Sequence, residues 1–187
     1  MTKTNIPPAK STEWETPRKL FHMLDETFKF TLDCCATDEN AKCQAYFTKD
    51  NDGLMQDWEK EVLWMNPPYG KGIEEWVKKA AEHGENGGIA VCLLPAYVST
   101  GWWIRQVMGK ANHIAFIKGR VHFVGAKHSA TFPSAIVQYG WIGHGPRLLD
   151  MLEYRETICK MDGMFCERSI GIFDRNARVA HQKGTKQ

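Results

Sequence analysis

Two stretches of this chain, Val62-Leu-Trp-Met65 and Ile89-Ala-Val-Cys-Leu-Leu94, are apolar at every position. A strand with one wet face alternates apolar and polar residues, so an uninterrupted apolar run of four to eight residues belongs to a strand covered on both faces. Between the two lies Ile73 to His83, where Ile73, Trp76, Val77 and Ala80 recur at helical spacing and Gly84 is expected to close the helix. Strand, helix, strand with fully apolar strands predicts an open α/β sheet, mostly parallel, with helices on both faces. The rest of the chain extends the pattern. Thr16-Pro17 reads as an N-cap followed by a first-turn proline, with Leu20, Phe21, Leu24 and Phe28 setting a helix over about 17–27. Phe30–Cys35 reads as a buried strand, Asp38–Phe47 as a less regular helix and Trp102–Lys110 as helical. Ile114–Ile117, Val121–Val124 and Ser134–Tyr139 read as strands, and their closeness predicts an antiparallel element at one edge. The expected organisation is a flexible arm over 1–12, one domain over 13–150 and a partly mobile extension over 151–187.

Charge divides the chain in two. Residues 1–100 carry 11 Lys/Arg against 16 Asp/Glu, whereas residues 101–187 carry 13 against 6. From Asn86 to Leu149 there is no acid at all, while Arg105, Lys110, Lys118, Arg120, Lys127 and Arg147 stand there. A stretch of this kind suits a polyanion, although buried strands also need no acids. The sequence has no apolar run long enough for a membrane span and its start lacks a secretory signal, so a cytoplasmic protein is expected. Its six cysteines form no C-x-x-C pair and its histidines no ligand spacing. Reduced thiols and no bound metal follow as expectations.

In sheets of this type ligands bind beyond the carboxyl ends of the strands. One strand ends Leu32-Asp33-Cys34-Cys35-Ala36 and another Met65-Asn66-Pro67-Pro68-Tyr69-Gly70. Two adjacent prolines stop a ladder and stiffen the loop. Asn66 Oδ1 and the Pro67 carbonyl can each accept an N–H, and Tyr69 can stack on a ring, which together suit a planar base with an exocyclic amine.

Asn66-Pro67-Pro68-Tyr69 resembles the catalytic motif of S-adenosylmethionine-dependent amino methyltransferases. The wider succession runs Trp14-Glu-Thr-Pro17, Leu32–Ala36, Asn40–Cys43, Tyr46–Thr48, Asp52–Leu54, Trp58, Asn66–Gly70, Leu93–Ala96, Gly119-Arg120 and Phe132–Ser134. It is similar to the phage-type DNA N6-adenine methyltransferase (Dam) family over about residues 13–140. The resemblance implies a class I methyltransferase fold, S-adenosylmethionine as cofactor and double-stranded DNA as partner, in a protein encoded by a phage or prophage. It places Asn66, Pro67, Pro68 and Tyr69 at the catalytic step, and Thr16, Pro17, Asp33, Cys35, Ala36, Asp52 and Asn66 around the cofactor. Thr16 and Pro17 would border its methionine end, Asp33 its amino group and Asp52 its adenine. Asp33 reads equally as a cap on the following turn, and Asp52 as a turn residue before Gly53. Many relatives carry glycines after the first strand, whereas this chain has none there before Gly53. Arg105, Lys118, Arg120, Lys127 and His128 are the expected DNA contacts, with Ser134 lining the base pocket. Asn-Pro-Pro-Tyr also serves methyltransferases acting on protein glutamine and on RNA. Those substrates, and a catalytically silent DNA-binding protein on the same fold, are the alternatives. The sequence sets neither target site nor oligomeric state.

Overall fold

The computed structural model describes residues 13–59, 61–140 and the backbone of 148–152. Seven strands form one sheet: β1 (Leu32–Asp33), β2 (Ala45–Tyr46), β3 (Val62–Met65), β4 (Ile89–Pro95), β5 (His113–Ile117), β6 (Ser134–Tyr139) and β7 (Leu148–Leu152). Their spatial order is β2-β1-β3-β4-β6-β5-β7. β2, β1, β3 and β4 pair in parallel, β6 runs antiparallel to both β4 and β5, and β7 pairs with β5 in parallel.

Successive side chains of a strand point to opposite faces, and the apolar strands split accordingly. Trp64, Val91, Leu93, Ala115, Ile117 and Ile136 meet Leu20, Phe21 and Leu24 of helix α1 (Arg18–Phe28). Leu63, Met65, Ala90, Cys92, Leu94, Ala135, Val137 and Tyr139 face the other way. There they meet Ile73, Val77, Ala80 and Ala81 of helix α2 (Ile73–Glu85) and Trp103 and Val107 of a π-helical turn (Trp103–Met108). Each fully buried side chain of this size contributes roughly 1.5–3 kcal/mol relative to exposure. The fold is the open α/β sheet that the patterning predicts, covered on both faces. No described helix is long and apolar enough to cross a membrane.

Several expectations need correction. The antiparallel strand lies inside the sheet, because β4 crosses to β5 over the π-helical turn and leaves a one-strand gap that β6 fills on its return. Asp38–Phe47 is not a helix. The Lys42 N–H goes to Asp33 Oδ2 at 3.1 Å, so this donor is unavailable to the helical carbonyl four residues back. The segment turns instead and ends in β2. Val121–Val124 makes a single bridge, between Val124 and Glu15, while Val121 and Phe123 plug the α1-side core. Thr16 does not cap α1: Pro17 occupies the N-cap position with no side-chain hydrogen bond. Helix α2 continues through Gly84, where a Cβ would lie 2.7 Å from that of Tyr139. The missing side chain there serves close packing on β6 rather than helix termination. The arm expected over 1–12 and the extension beyond β7 lie outside the described residues, as do Cys159 and Cys166.

Candidate active site

β1 and β3 are neighbours, but the chain leaves β1 for β2 on one side and β3 for β4 on the other. Such a switch point opens a crevice at the carboxyl ends. A cavity of about 540 Å³ occupies it, lined among others by Thr16, Asp33, Cys35, Ala36, Asp52, Asn66, Pro67 and Pro68. Pro17 does not line it and is buried at the start of α1.

Asn66 follows β3, and its amide is held from one side. Nδ2 donates to the Trp14 carbonyl and, at 3.0 Å, to Thr16 Oγ1. The carbonyl can only accept, so the nitrogen must face it. The buried Oδ1 has no hydrogen-bond partner among the described residues. Thr16, 2% exposed, is thus part of the Asn66 mounting. Beyond the two prolines, the Tyr69 hydroxyl donates to the Leu93 carbonyl of β4 at 3.1 Å. The Tyr69 ring meets Phe123 and Phe132 edge to face at 6.1 and 5.5 Å, and Trp14 packs on the same two rings. Tyr69 does not itself line the cavity; it sits within this aromatic group, which reaches the cavity through Trp14. Burial pushes its phenol well above the ordinary tyrosine range, so the group stays neutral.

Asp33 ends β1 and is 3% exposed. It serves both roles open to it, accepting the N–H groups of Cys35 at 3.4 Å and Lys42 at 3.1 Å while lining the cavity. Burial pushes its carboxyl up to about 6, against the opposing pull of those two backbone donors and of the Lys42 charge. Burial also raises the thiols of Cys34, Cys35 and Cys92, which therefore act as small apolar groups. Asp52 is exposed on the loop after β2, in the left-handed region at φ 49°. Its Oδ1 accepts the Leu54 N–H at 3.3 Å, so it makes its turn and faces the cavity as well.

Two supports have no signature in the sequence. Lys42, with its side chain 7% exposed, pairs with Glu15 at 3.0 Å and ties the segment before α1 across the cavity to the loop after β1. Lys79 of α2 donates to the carbonyls of Gly53, Leu54 and Gln56 and lies 4.4 Å from the Trp58 ring centroid. Both links join residues more than 20 positions apart, and only local spacing is visible in a sequence.

The basic residues divide into two groups. Arg105 is on the π-helical turn, where its Nε and Nη2 both bind Glu74 of α2, at 3.1 and 2.7 Å. Lys110 pairs with Glu85 at 3.1 Å. The acids absent from their own stretch come from α2, on the opposite face of the sheet from the aromatic group. Lys118, Arg120, Lys127 and His128 are exposed on the connection between β5 and β6. That connection also carries Phe123 and Phe132, so these four border the Tyr69 side of the site. Ser134 is buried in β6 on the side of Ile136, its hydroxyl without a partner among the described residues. Among the described residues no three metal-ligating side chains cluster.

An unpartnered amide oxygen and a buried carboxylate on residues lining one cavity suit a ligand bringing N–H donors and positive charge. The family model described as DNA N-6-adenine-methyltransferase (Dam) matches residues 3–136. A DNA N-6-adenine-methyltransferase of Haemophilus phage HP1 is 29% identical over 126 residues, covering 66% of this chain and 73% of that protein. A protein of the same name from Escherichia phage T1 is 36% identical over 113 residues, covering 59% of this chain and 47% of the relative. With the family match running from before the Trp14 segment into β6, over more than half of the chain, the chain belongs to the DNA N-6-adenine-methyltransferase (Dam) family.

Proposed function

We propose that the protein transfers a methyl group from S-adenosylmethionine to N6 of an adenine flipped out of double-stranded DNA, in the cytoplasm of a phage host. The observation that carries this reading is the Asn66 amide, in a residue that lines the cavity: its nitrogen is fully engaged while the buried Oδ1 is left without a partner among the described residues. An exocyclic amine offers the donor that this oxygen lacks.

The residues fit the cofactor. It is cationic and carries an ammonium group, and the cavity is lined by four acids, Glu13, Glu15, Asp33 and Asp52, against Lys42, which pairs with Glu15, and Lys49. Asp33 would hold the ammonium, Thr16 the methionine end and Asp52 the adenine end. When bound, S-adenosylmethionine supplies an electrophilic methyl on a sulfonium sulfur. Asn66 Oδ1 and the Pro67 carbonyl would accept the two N6–H groups and hold the amine lone pair toward the methyl carbon. The N6–C bond forms as the C–S bond breaks, and an N6 proton leaves to solvent because an amide cannot take it. Positioning and charge stabilisation are the protein's whole contribution to the step. Tyr69, fixed through its hydroxyl, would stack on the flipped base, and Lys118, Arg120, Lys127 and His128 would grip the flanking phosphates.

The test is incubation with labelled S-adenosylmethionine and DNA, RNA or protein. Label recovered as N6-methyladenine in DNA is the expected result. Label confined to RNA or to protein glutamine would assign the alternatives, and DNA binding without transfer would assign a silent binder. Asn66→Ala is expected to lower the rate by about 10²–10³, the usual loss when one preorganised polar group is removed. Circular dichroism should show the fold intact.

A further inference from the structure

At the carboxyl end of β4 two large side chains lie in water side by side: Tyr97 is 42% exposed and Val98 52%. The turn that carries them is braced. The Tyr97 N–H donates to the Pro95 carbonyl at 2.8 Å, and the Thr100 N–H and hydroxyl both reach the Tyr97 carbonyl, at 2.9 and 2.7 Å. The preceding Ala96 N–H is tied to the Pro133 carbonyl at 2.8 Å. Val98 is β-branched, so its side chain has few rotamers to lose on contact. The Tyr97 ring abuts Phe132 at 6.0 Å, and Phe132 abuts Tyr69 at 5.5 Å. The pair therefore lies one ring beyond Tyr69 on the same rim, on the strand next to the one that ends in Asn66.

We propose that Tyr97 and Val98 form a wedge that enters the base stack of duplex DNA beside the target adenine and fills the space the flipped base leaves. The proposal rests on duplex DNA being the substrate, as read above. Extruding a base removes its stacking on both neighbours and opens a gap to water. An apolar group held rigidly at the gap restores contact on one side and slows the return of the base. Polar side chains at this place could not replace stacking, and a mobile turn would lose its advantage in ordering entropy. Charge allows the approach: Asn86 to Leu149 contains no acid, and Arg120 and Lys127 stand on the neighbouring connection. A phosphate chain passing on either side of the wedge meets no carboxylate from this stretch.

The test compares methylation of unmethylated duplex DNA with that of the same DNA after heat denaturation, in wild type, Val98→Ala and Val98→Asn. Val98 is exposed, so neither change disturbs the core. Single strands have no stack to open and provide the internal reference. The duplex-to-single-strand rate ratio is expected to fall about tenfold in Val98→Asn and less in Val98→Ala, the scale of unstacking energy a small wedge recovers. A ratio equal to wild type overturns the wedge, including the case where both rates fall together. Conversion of a wild-type dimer to a monomer by Val98→Asn, with the ratio unchanged, would assign the pair to a contact between copies and overturn it as well. A wild-type protein that labels neither DNA overturns the proposed function itself, a result distinct from a labelled duplex with an unchanged ratio.

Discussion

Asn66 has its amide oxygen left without a partner among the described residues because Trp14 and Thr16 take the nitrogen. Asp33 is set by a comparable local balance, between loss of water and two backbone donors. Its carboxyl, at about 6 in the fold, stands above the ~3.9 of an unfolded chain. The folded state thus retains a proton, between about pH 4 and 6, that the unfolded state gives up, so this residue favours folding less as pH rises through that window. Asp33→Asn is expected to flatten the dependence across that window, read by thermal denaturation at a series of pH values; because an amide offers one acceptor for the two N–H groups of Cys35 and Lys42, the melting temperature itself should not rise. Donor binding has the opposite sign. An ammonium group needs the carboxylate ionised, so affinity for S-adenosylmethionine should rise nearly tenfold per pH unit up to about pH 6 and level off above it. Titration calorimetry across pH 4.5–8 checks this, and a flat profile would remove Asp33 from the cofactor site. The identities of these residues are legible as strand ends followed by unusual chemistry. Their supports are not: Thr16 reads as a helix cap, and its partner Asn66 lies 50 positions away.

Among the elements, the turn between β2 and β3 forms one wall of the cavity and is held from outside the sheet. Gly53 allows it to press on β1, since a Cβ there would lie 2.2 Å from the Cys34 carbonyl. The contact is with backbone, which cannot rotate away. Gly53→Ala is therefore expected to destabilise the fold by about 1–3 kcal/mol, the range for overpacking. It should weaken cofactor binding more than it weakens DNA binding. Denaturant titration and separate binding isotherms distinguish the effects, and unchanged cofactor affinity would show that this wall is not part of the site. The helices and long strands were readable because their period and their burial agree. Asp38–Phe47 has the apolar spacing of a helix but turns and ends in β2, whereas Val121–Val124 has that of a strand but plugs Val121 and Phe123 into the core with a single bridge. Pattern alone does not separate the two.

Across the whole molecule, charge is distributed by fold and not by chain position. Arg105 and Lys110 belong to the acid-free stretch, yet Glu74 and Glu85 neutralise them on the α2 side. The exposed Arg120 and Lys127 stand on the side of Tyr69. Each phosphate contact adds about 0.9 to the slope of log affinity against log salt on duplex DNA. Arg120→Ala and Lys127→Ala should each lower that slope by about that amount, whereas Arg105→Ala should leave it within error. Equal slopes for all three variants would remove the β5–β6 connection from the DNA interface.

The sequence by itself determined the sheet class, the two strands that end in chemistry and the family. Each of these is written in residues adjacent along the chain, where period, apolar runs and motif order are visible. Only the tertiary structure decided which face of Asn66 stays bare, which cations are already paired and where the antiparallel strand inserts. These depend on groups that meet across 30 to 50 positions, brought together by the packing of α1 and α2 on opposite faces of one sheet.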